Sequence, residues 1–358
     1  MTATAVLSRV FVAANLSVKA LYSDNSLFLL ASNGSTFSSI DPHGNRVTQL
    51  TLYAISRYKS KLAQVLSFRN LHTGPVLTVA SLQTSSYFLG YKITSVKWSL
   101  SPAIAEAEGL LRFETDGSVV LDSEDNAAMV VLHPNQRRIA VCYPLLIPGA
   151  KTSKHQYIWQ TQLFAVEETP LPWHYPLHTL QQALAASHSE QQTTTEGPTA
   201  QYEQSCLNRI TDLPVAVTPD TTLTTFPKQS WWYDCSHMLP QDIPILLEWT
   251  PDAIYQYIPT IKEVAVWIHV DESCLLSEGK GSFLKHCRGQ HQPERLYAAE
   301  AVPLHTNTEG VGRYPLAQFA EHALALRYFL VLQMTVPSTT LVCHISRAGF
   351  SLCSQGMF

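Results

Sequence analysis

Arg57, Lys59 and Lys61 are the residues whose type and spacing best suit a chemical task, the binding of an anion. Arg57 and Lys61 are four apart, so a helix sets them on one face as a fork suited to phosphate or carboxylate. A solvated helix face has the same composition. From Pro42 to Ala105 there is no Asp or Glu, while Arg46, Arg57, Lys59, Lys61, Arg69, Lys92 and Lys97 are all basic. The sign then reverses with Glu106, Glu108, Glu114, Asp116, Asp122, Glu124 and Asp125 against only Arg112. Such blocks either neutralise each other or leave a basic surface for an acidic or phosphorylated partner. Trp231, Trp232 and Tyr233 form the densest aromatic cluster. In a Pro-rich segment it reads as a structural plug or, because Trp and Tyr dominate binding hot spots, as a peptide groove.

Other chemistries find little support. Cys235 with His237, Cys274 with His286 and Cys287, and Cys343 with His344 all lack two-plus-two zinc spacing, and neighbouring strand residues point to opposite faces. Gly279-Lys280-Gly281-Ser282 has the wrong spacing for a phosphate loop, and Gly310-Val311-Gly312 lacks a third glycine. There is no Gly-x-Ser-x-Gly elbow. No catalytic, cofactor or metal residue is therefore assigned.

The elements that would carry these residues are short strands closed by helices. Ser17 to Tyr22 and Leu27 to Ala31 read as a hairpin around Ser23-Asp24-Asn25-Ser26, residues that tolerate a left-handed backbone. Asn33-Gly34 marks a second turn. Tyr53 to Asn70 then takes helical spacing, with Ile55, Tyr58, Leu62, Val65 and Leu66 on the apolar line. A second segment alternates apolar and polar residues over Leu111 to Glu114 and turns at Asp116-Gly117. It continues through Val119–Leu121, Ala128–Leu132 and Arg138–Tyr143, and closes with a helix from Trp173 to Ser187. Ser187 to Gln204, rich in Gln, Thr, Ser and Glu, reads as a linker or long loop. In the third segment the prolines from Pro214 to Pro259 predict an irregular first half, followed by a strand at Ile261 to Val270 and a helix opened by Tyr314-Pro315-Leu316. That opening repeats Tyr175-Pro176-Leu177. The fold class expected is α+β, built of antiparallel sheet-plus-helix modules at residues 1–75, 76–187 and 207–347, with a linker at 188–206 and an unstructured tail at 348–358.

Composition bounds the class. The 358 residues are 46% hydrophobic and only 15% charged, with net charge −4, so no overall charge draws the chain to nucleic acid or anionic membrane. Seven scattered cysteines without a Cys-x-x-Cys pair argue for reduced thiols in an intracellular, cytoplasmic or nuclear protein. No stretch approaches the roughly 20 apolar residues of a membrane span.

Ile55-Ser56-Arg57-Tyr58 through Leu62, Leu66 and Phe68-Arg69-Asn70, behind the Tyr22 to Leu27 hairpin, resembles an uncharacterised animal family named for open reading frame thirty-four of human chromosome five. The resemblance extends more loosely through Ile93 to Trp98, Trp173 to Leu177, Val264 to Trp267 and the closing helix. Members carry a further C-terminal sheet-and-helix module, so a shortened isoform or incomplete gene model is expected here. The N-terminal unit also resembles, in topology, a polo box, several antiparallel strands packed by one helix. Polo boxes bind phosphopeptides or pair with themselves and other centrosomal proteins. The resemblance thus implies a protein partner and allows a centrosomal association. No residue is carried over as a phosphate ligand. The expected function is a non-enzymatic adaptor or protein-interaction protein. The alternatives are an enzyme or regulatory subunit whose site is assembled from distant residues, and a nucleic-acid contact through the basic first module.

Overall fold

The computed structural model describes residues 5–79, 82, 85–149, 154–189, 208–219, 245–288, 294–308, 312–335, 343–346 and 349–352. The chain divides into two compact units, one of residues 1–65, 219–288 and 292–358, the other of residues 66–218 and 289–291. Every strand ladder is antiparallel, and the class is α+β as the patterning predicts.

The first unit opens with β1 (Leu7–Ala13), β2 (Val18–Tyr22), β3 (Leu27–Leu30), β4 (Thr36–Ile40) and β5 (Arg46–Leu50), each paired with the next. The β2–β3 turn forms because Asn25 accepts a φ of 65° while the Asp24 carboxylate receives the Ser26 N–H at 2.9 Å. A 3-10 turn at Thr51–Tyr53 leads into α1 (Ser56–His72). Tyr58, Leu62 and Val65 are buried along one stripe of α1, and Tyr58 meets Phe37 edge-on at 5.8 Å while Phe37 stacks on Phe28 at 4.9 Å. Ile55 departs from expectation: it precedes the helix and is exposed.

In the second unit lie β6 (Tyr87–Leu89), β7 (Ser95–Lys97), α2 (Pro102–Ala107), β8 (Leu111–Phe113), β9 (Val119–Asp122), β10 (Met129–Leu132), β11 (Arg138–Ile147), β12 (His155–Ala165), α3 (His174–Ser189) and β13 (Ile210–Asp212). Six strands form one sheet in the order β6-β12-β11-β10-β9-β8, and β13 pairs with β7. Trp98, Tyr143, Trp173, Leu121 and Ile139 fill its core. The buried indole N–H of Trp98 donates to Thr211 Oγ at 2.8 Å, which joins the chain on either side of the 190–207 stretch. The Asp116-Gly117 turn closes the β8–β9 hairpin. Only Gly117 has positive φ, and the Glu114 N–H reaches the Ser118 carbonyl, so the loop has three residues and a left-handed glycine. Arg69 and Asn70 fasten the loop after α1, through the Pro75 carbonyl at 2.9 Å and both backbone groups of Leu77.

The chain then supplies β14 (Ile245–Trp249), β15 (Ala253–Ile258), β16 (Glu263–Ile268), β17 (Cys274–Glu278), β18 (Phe283–Cys287), β19 (Arg295–Ala298), β20 (Thr306–Thr308), β21 (Gly312–Tyr314), α4 (Leu316–Thr335), β22 (Cys343–Ser346) and β23 (Gly349–Leu352). The last strand falls in a stretch the sequence reads as unstructured tail. Strands β14 and β15 are regular, against the irregular fold that Pro density predicts, because Pro251 and Pro259 lie between strands rather than in them; residues 220–244 of that first half lie outside the described residues. The 188–206 linker reading falls almost wholly outside the described residues.

Sequence order suggests successive independent modules, but β14 pairs with β1 at Val10–Trp249, Phe11–Glu248 and Val12–Leu247. The first and third segments therefore share an eleven-stranded sheet, β19-β18-β17-β16-β15-β14-β1-β2-β3-β4-β5. Helix α4 covers its far half with Phe319, Ala323, Leu326 and Leu330, the stripe expected. Gly281, at φ +84°, lets the β17–β18 turn approach this helix: a Cβ there would meet Leu324 at 3.3 Å and Arg327 at 3.4 Å.

Candidate functional site

The first two turns of α1 place the three cations differently. Arg57 is exposed, with its guanidinium 5.7 Å from the Tyr58 ring. Lys59 is half-buried. Neither has an ion-pair partner among the described residues. Lys61 turns inward. Its ammonium donates to Ser26 Oγ at 2.7 Å and lies 4.0 Å over the Tyr22 ring, whose hydroxyl donates to Gln64. Burial pushes Lys61 below the usual lysine range, with Asp24 opposing. The Arg57–Lys61 fork of the sequence reading is thus divided: Arg57 is exposed on one flank of buried Tyr58, and half-buried Lys59 lies on the other flank. A first helical turn with two cations and no carboxylate runs against the helix dipole, which an anionic partner would relieve. Tyr53, Ile55 and Val47 add exposed apolar surface to the same module.

Within the second unit the two charge blocks meet at one pair, Lys97 with Glu124 at 3.0 Å. Glu124 also takes Arg209 from outside either block at 3.4 Å, and Arg112 pairs with Asp122 inside the acidic stretch.

Trp231, Trp232 and Tyr233 lie outside the described residues, as do Cys235, His237 and Gly310. His286 and Cys287 point to opposite faces of β18, and Cys287 lies directly across from Cys274. Among the described residues no three His, Cys, Asp or Glu side chains are arranged to hold a metal. The Gly279–Ser282 turn gives the Lys280 N–H to the Glu263 carboxylate at 2.9 Å, so a protein carboxylate takes the amide that a phosphate loop would offer its ligand.

One polar cluster escapes sequence reading. His286 Nε2 lies 3.1 Å from Ser273 Oγ, and the Tyr314 hydroxyl donates to Asp271 at 2.7 Å while touching both Ser273 and His286. No motif spacing marks residues brought together by the β16–β17 turn, β18 and β21. Ser273 and His286 are wholly buried, and His286 Nδ1 has no hydrogen-bond partner among the described residues. Burial, aided by Arg288 and opposed by Asp271, pulls His286 down to about 4, a poor general base at neutral pH. The cluster ties the β16–β17 turn to β18 and β21.

It has a measurable signature. The unfolded chain protonates this histidine near 6.5 and the folded chain near 4. Its stabilising effect is whole above the unfolded value and declines as pH falls from 6.5 toward 4, by about 1.4 kcal/mol per pH unit and roughly 3 kcal/mol in all. Urea midpoints of the wild type and His286→Asn should therefore converge over that interval; parallel pH profiles would contradict the assignment.

Residues 10–70, from within β1 to near the end of α1, match the family model described as "C5orf34-like, N-terminal". No curated protein matches the chain. Two similar solved structures are the budding yeast Cdc5 polo-box domain in complex with the Dbf4 polo-interacting region and the same domain in complex with Spc72 phosphopeptide. The first is 8% identical, covers 71% of this chain and 75% of that chain, and has a TM-score of 0.18. The second is also 8% identical, covers 78% and 83%, and has a TM-score of 0.18. Residues 10–70, the strands and helix that present Arg57 and Lys59, are thus the part of the chain that is similar to the N-terminal model of the C5orf34-like family.

Proposed function

We propose that this is a non-enzymatic, intracellular protein-interaction protein whose first module binds an acidic or phosphorylated protein partner. The observation that carries the reading is that Arg57, exposed, and Lys59, half-buried, flank buried Tyr58 at the start of α1 with no ion-pair partner among the described residues. Exposed apolar residues beside basic ones are what a protein partner uses: apolar contact supplies affinity, and charge supplies steering and register. The closed state of the Ser273–His286 cluster favours a non-enzymatic reading over an enzyme with a dispersed site. A small basic patch within a chain of net charge −4 favours a protein over nucleic acid. No helix among the described residues is long and apolar enough to cross a membrane.

The test is charge reversal of Arg57 and Lys59 to Glu in the full chain, followed by affinity capture and thermal melting. Partner capture should fall by at least about tenfold while stability shifts by less than about 0.5 kcal/mol, because unpaired surface charges contribute little to folding. Undiminished capture would remove the basic face from the reading. Lys61 is the contrasting position: its inward contacts tie Lys61→Glu to folding as well as to binding.

A further inference from the structure

The sheet of the first unit ends on β5, and its flanking turns fix which backbone groups face outward. At one end the Asp41 N–H donates to the Asn45 carbonyl at 3.0 Å, and at the other the Thr51 N–H donates to the Ser35 carbonyl at 2.8 Å. Bonded and non-bonded pairs alternate along an antiparallel ladder. The register then makes Phe37–Gln49 and Ser39–Val47 the bonded pairs, so Thr48 and Leu50 turn their N–H and C=O groups away from β4. The Thr48 N–H and C=O and the Leu50 N–H have no partner among the described residues, while the Leu50 C=O opens the Thr51–Tyr53 turn.

Natural edges are usually blunted by proline, lysine or a bulge. Strand β5, Arg46-Val47-Thr48-Gln49-Leu50, has neither residue, and its pairing with β4 runs without a register shift. Exposed Val47 lies on it, and Gln49 Oε1 accepts the Ile55 N–H at 3.3 Å, which holds the start of α1 alongside the strand. Arg57 and Lys59 follow, and no Asp or Glu occurs between Pro42 and Ala105.

We infer that β5 accepts an extended, glutamate- or aspartate-bearing peptide segment as an additional strand. Its backbone bonds Thr48 and Leu50, and its carboxylates face Arg57 and Lys59. Main-chain bonds supply affinity in this mode of recognition, and the flanking side chains supply selectivity. The inference rests on the proposed function and specifies how the partner is held.

The experiment uses the full chain and a fluorescein-labelled decapeptide alternating Glu with Val. Anisotropy reads binding, and hydrogen exchange reads the Thr48 and Leu50 amides. Saturable binding should come with at least about tenfold slower exchange at both amides, as expected of groups entering a ladder. Thr48→Pro should weaken binding about tenfold or more, since it removes an outward N–H without breaking a backbone bond to β4; the hydroxyl bond to Ser38 that it also loses is lost equally in Thr48→Val. Thr48→Val keeps that N–H and should bind like the wild type. The matching Lys/Val peptide should not bind. Binding that leaves both amides exchanging as before would overturn strand addition while leaving the basic-face reading standing. Absence of binding by the acidic peptide, or equal binding by the basic one, would overturn the inference, and the capture experiment with Arg57 and Lys59 reversed would judge the broader reading separately. Protection of both amides without peptide, in a concentration-dependent dimer, would make a second copy the occupant and overturn it as well.

Discussion

Replacing Arg327 by alanine is expected to destabilise the first unit by about 3–5 kcal/mol, the range for breaking a buried ion pair from one side. Glu263 is buried at the start of β16 and has three donors: the Ser277 hydroxyl at 2.6 Å, the Lys280 N–H at 2.9 Å and the Arg327 guanidinium at 2.5 Å. Arg327 brings the neutralising charge from α4. Without it a carboxylate remains buried on two neutral donors, and the helix loses a polar fastening to the sheet. Adding Glu263→Gln to Arg327→Ala should recover part of the loss, because the glutamine keeps a carbonyl acceptor without a charge to desolvate. Urea denaturation of the two single variants and the pair decides this. A double variant no more stable than Arg327→Ala would mean that the lost packing of the arginine stem, rather than the stranded charge, carried the effect.

Leu62→Ala should cost about 2–5 kcal/mol, the span seen when a fully buried leucine leaves a cavity that neighbours only partly fill. Leu62 has no exposed surface and lies one helical turn beyond Tyr58, which itself touches Phe37 of the sheet. Ile55→Ala should by contrast change stability by less than about 0.5 kcal/mol, since that side chain is already half in water. Equal losses at the two positions would contradict the placement of the helix start at Ser56.

Much of the local structure was readable from residue pattern. The Ser23–Ser26 turn, the apolar stripe of α1, the strands from Val119 to Tyr143 and the helix after Tyr314-Pro315 all follow from turn chemistry and periodicity, which act over a few residues. Ile55 was misassigned because spacing alone extends an apolar line past the helix start. Proline density in the third segment was read as irregular fold, although Pro251 and Pro259 sit between strands and mark where strands stop. The pairing of β1 with β14 has no sequence signal: two short apolar strands are equally suited to a module edge and to a sheet centre. The same limit applies to the candidate site. Basic residues were visible, but only geometry separates Lys61, turned onto Tyr22 and Ser26, from Arg57 and Lys59. The Ser273–His286–Tyr314 cluster escaped for the same reason, its members being joined by sheet register rather than by spacing.

The β1–β14 seam imposes an order of events during synthesis. Strands β1 to β5 leave the ribosome first, and the partner of β1 follows only after residues 14–244 have been made. At about 5–20 residues per second, that interval is on the order of 10–50 s. Throughout it the buried residues Val10, Phe11 and Val12 belong to a strand with one side of its backbone unpaired, a template for any other nascent chain nearby. The newly made N-terminal segment therefore reaches the native sheet as a single chain only when its own distant strand pairs with that edge before another chain does. A truncated product ending before Ile245 would present that edge permanently.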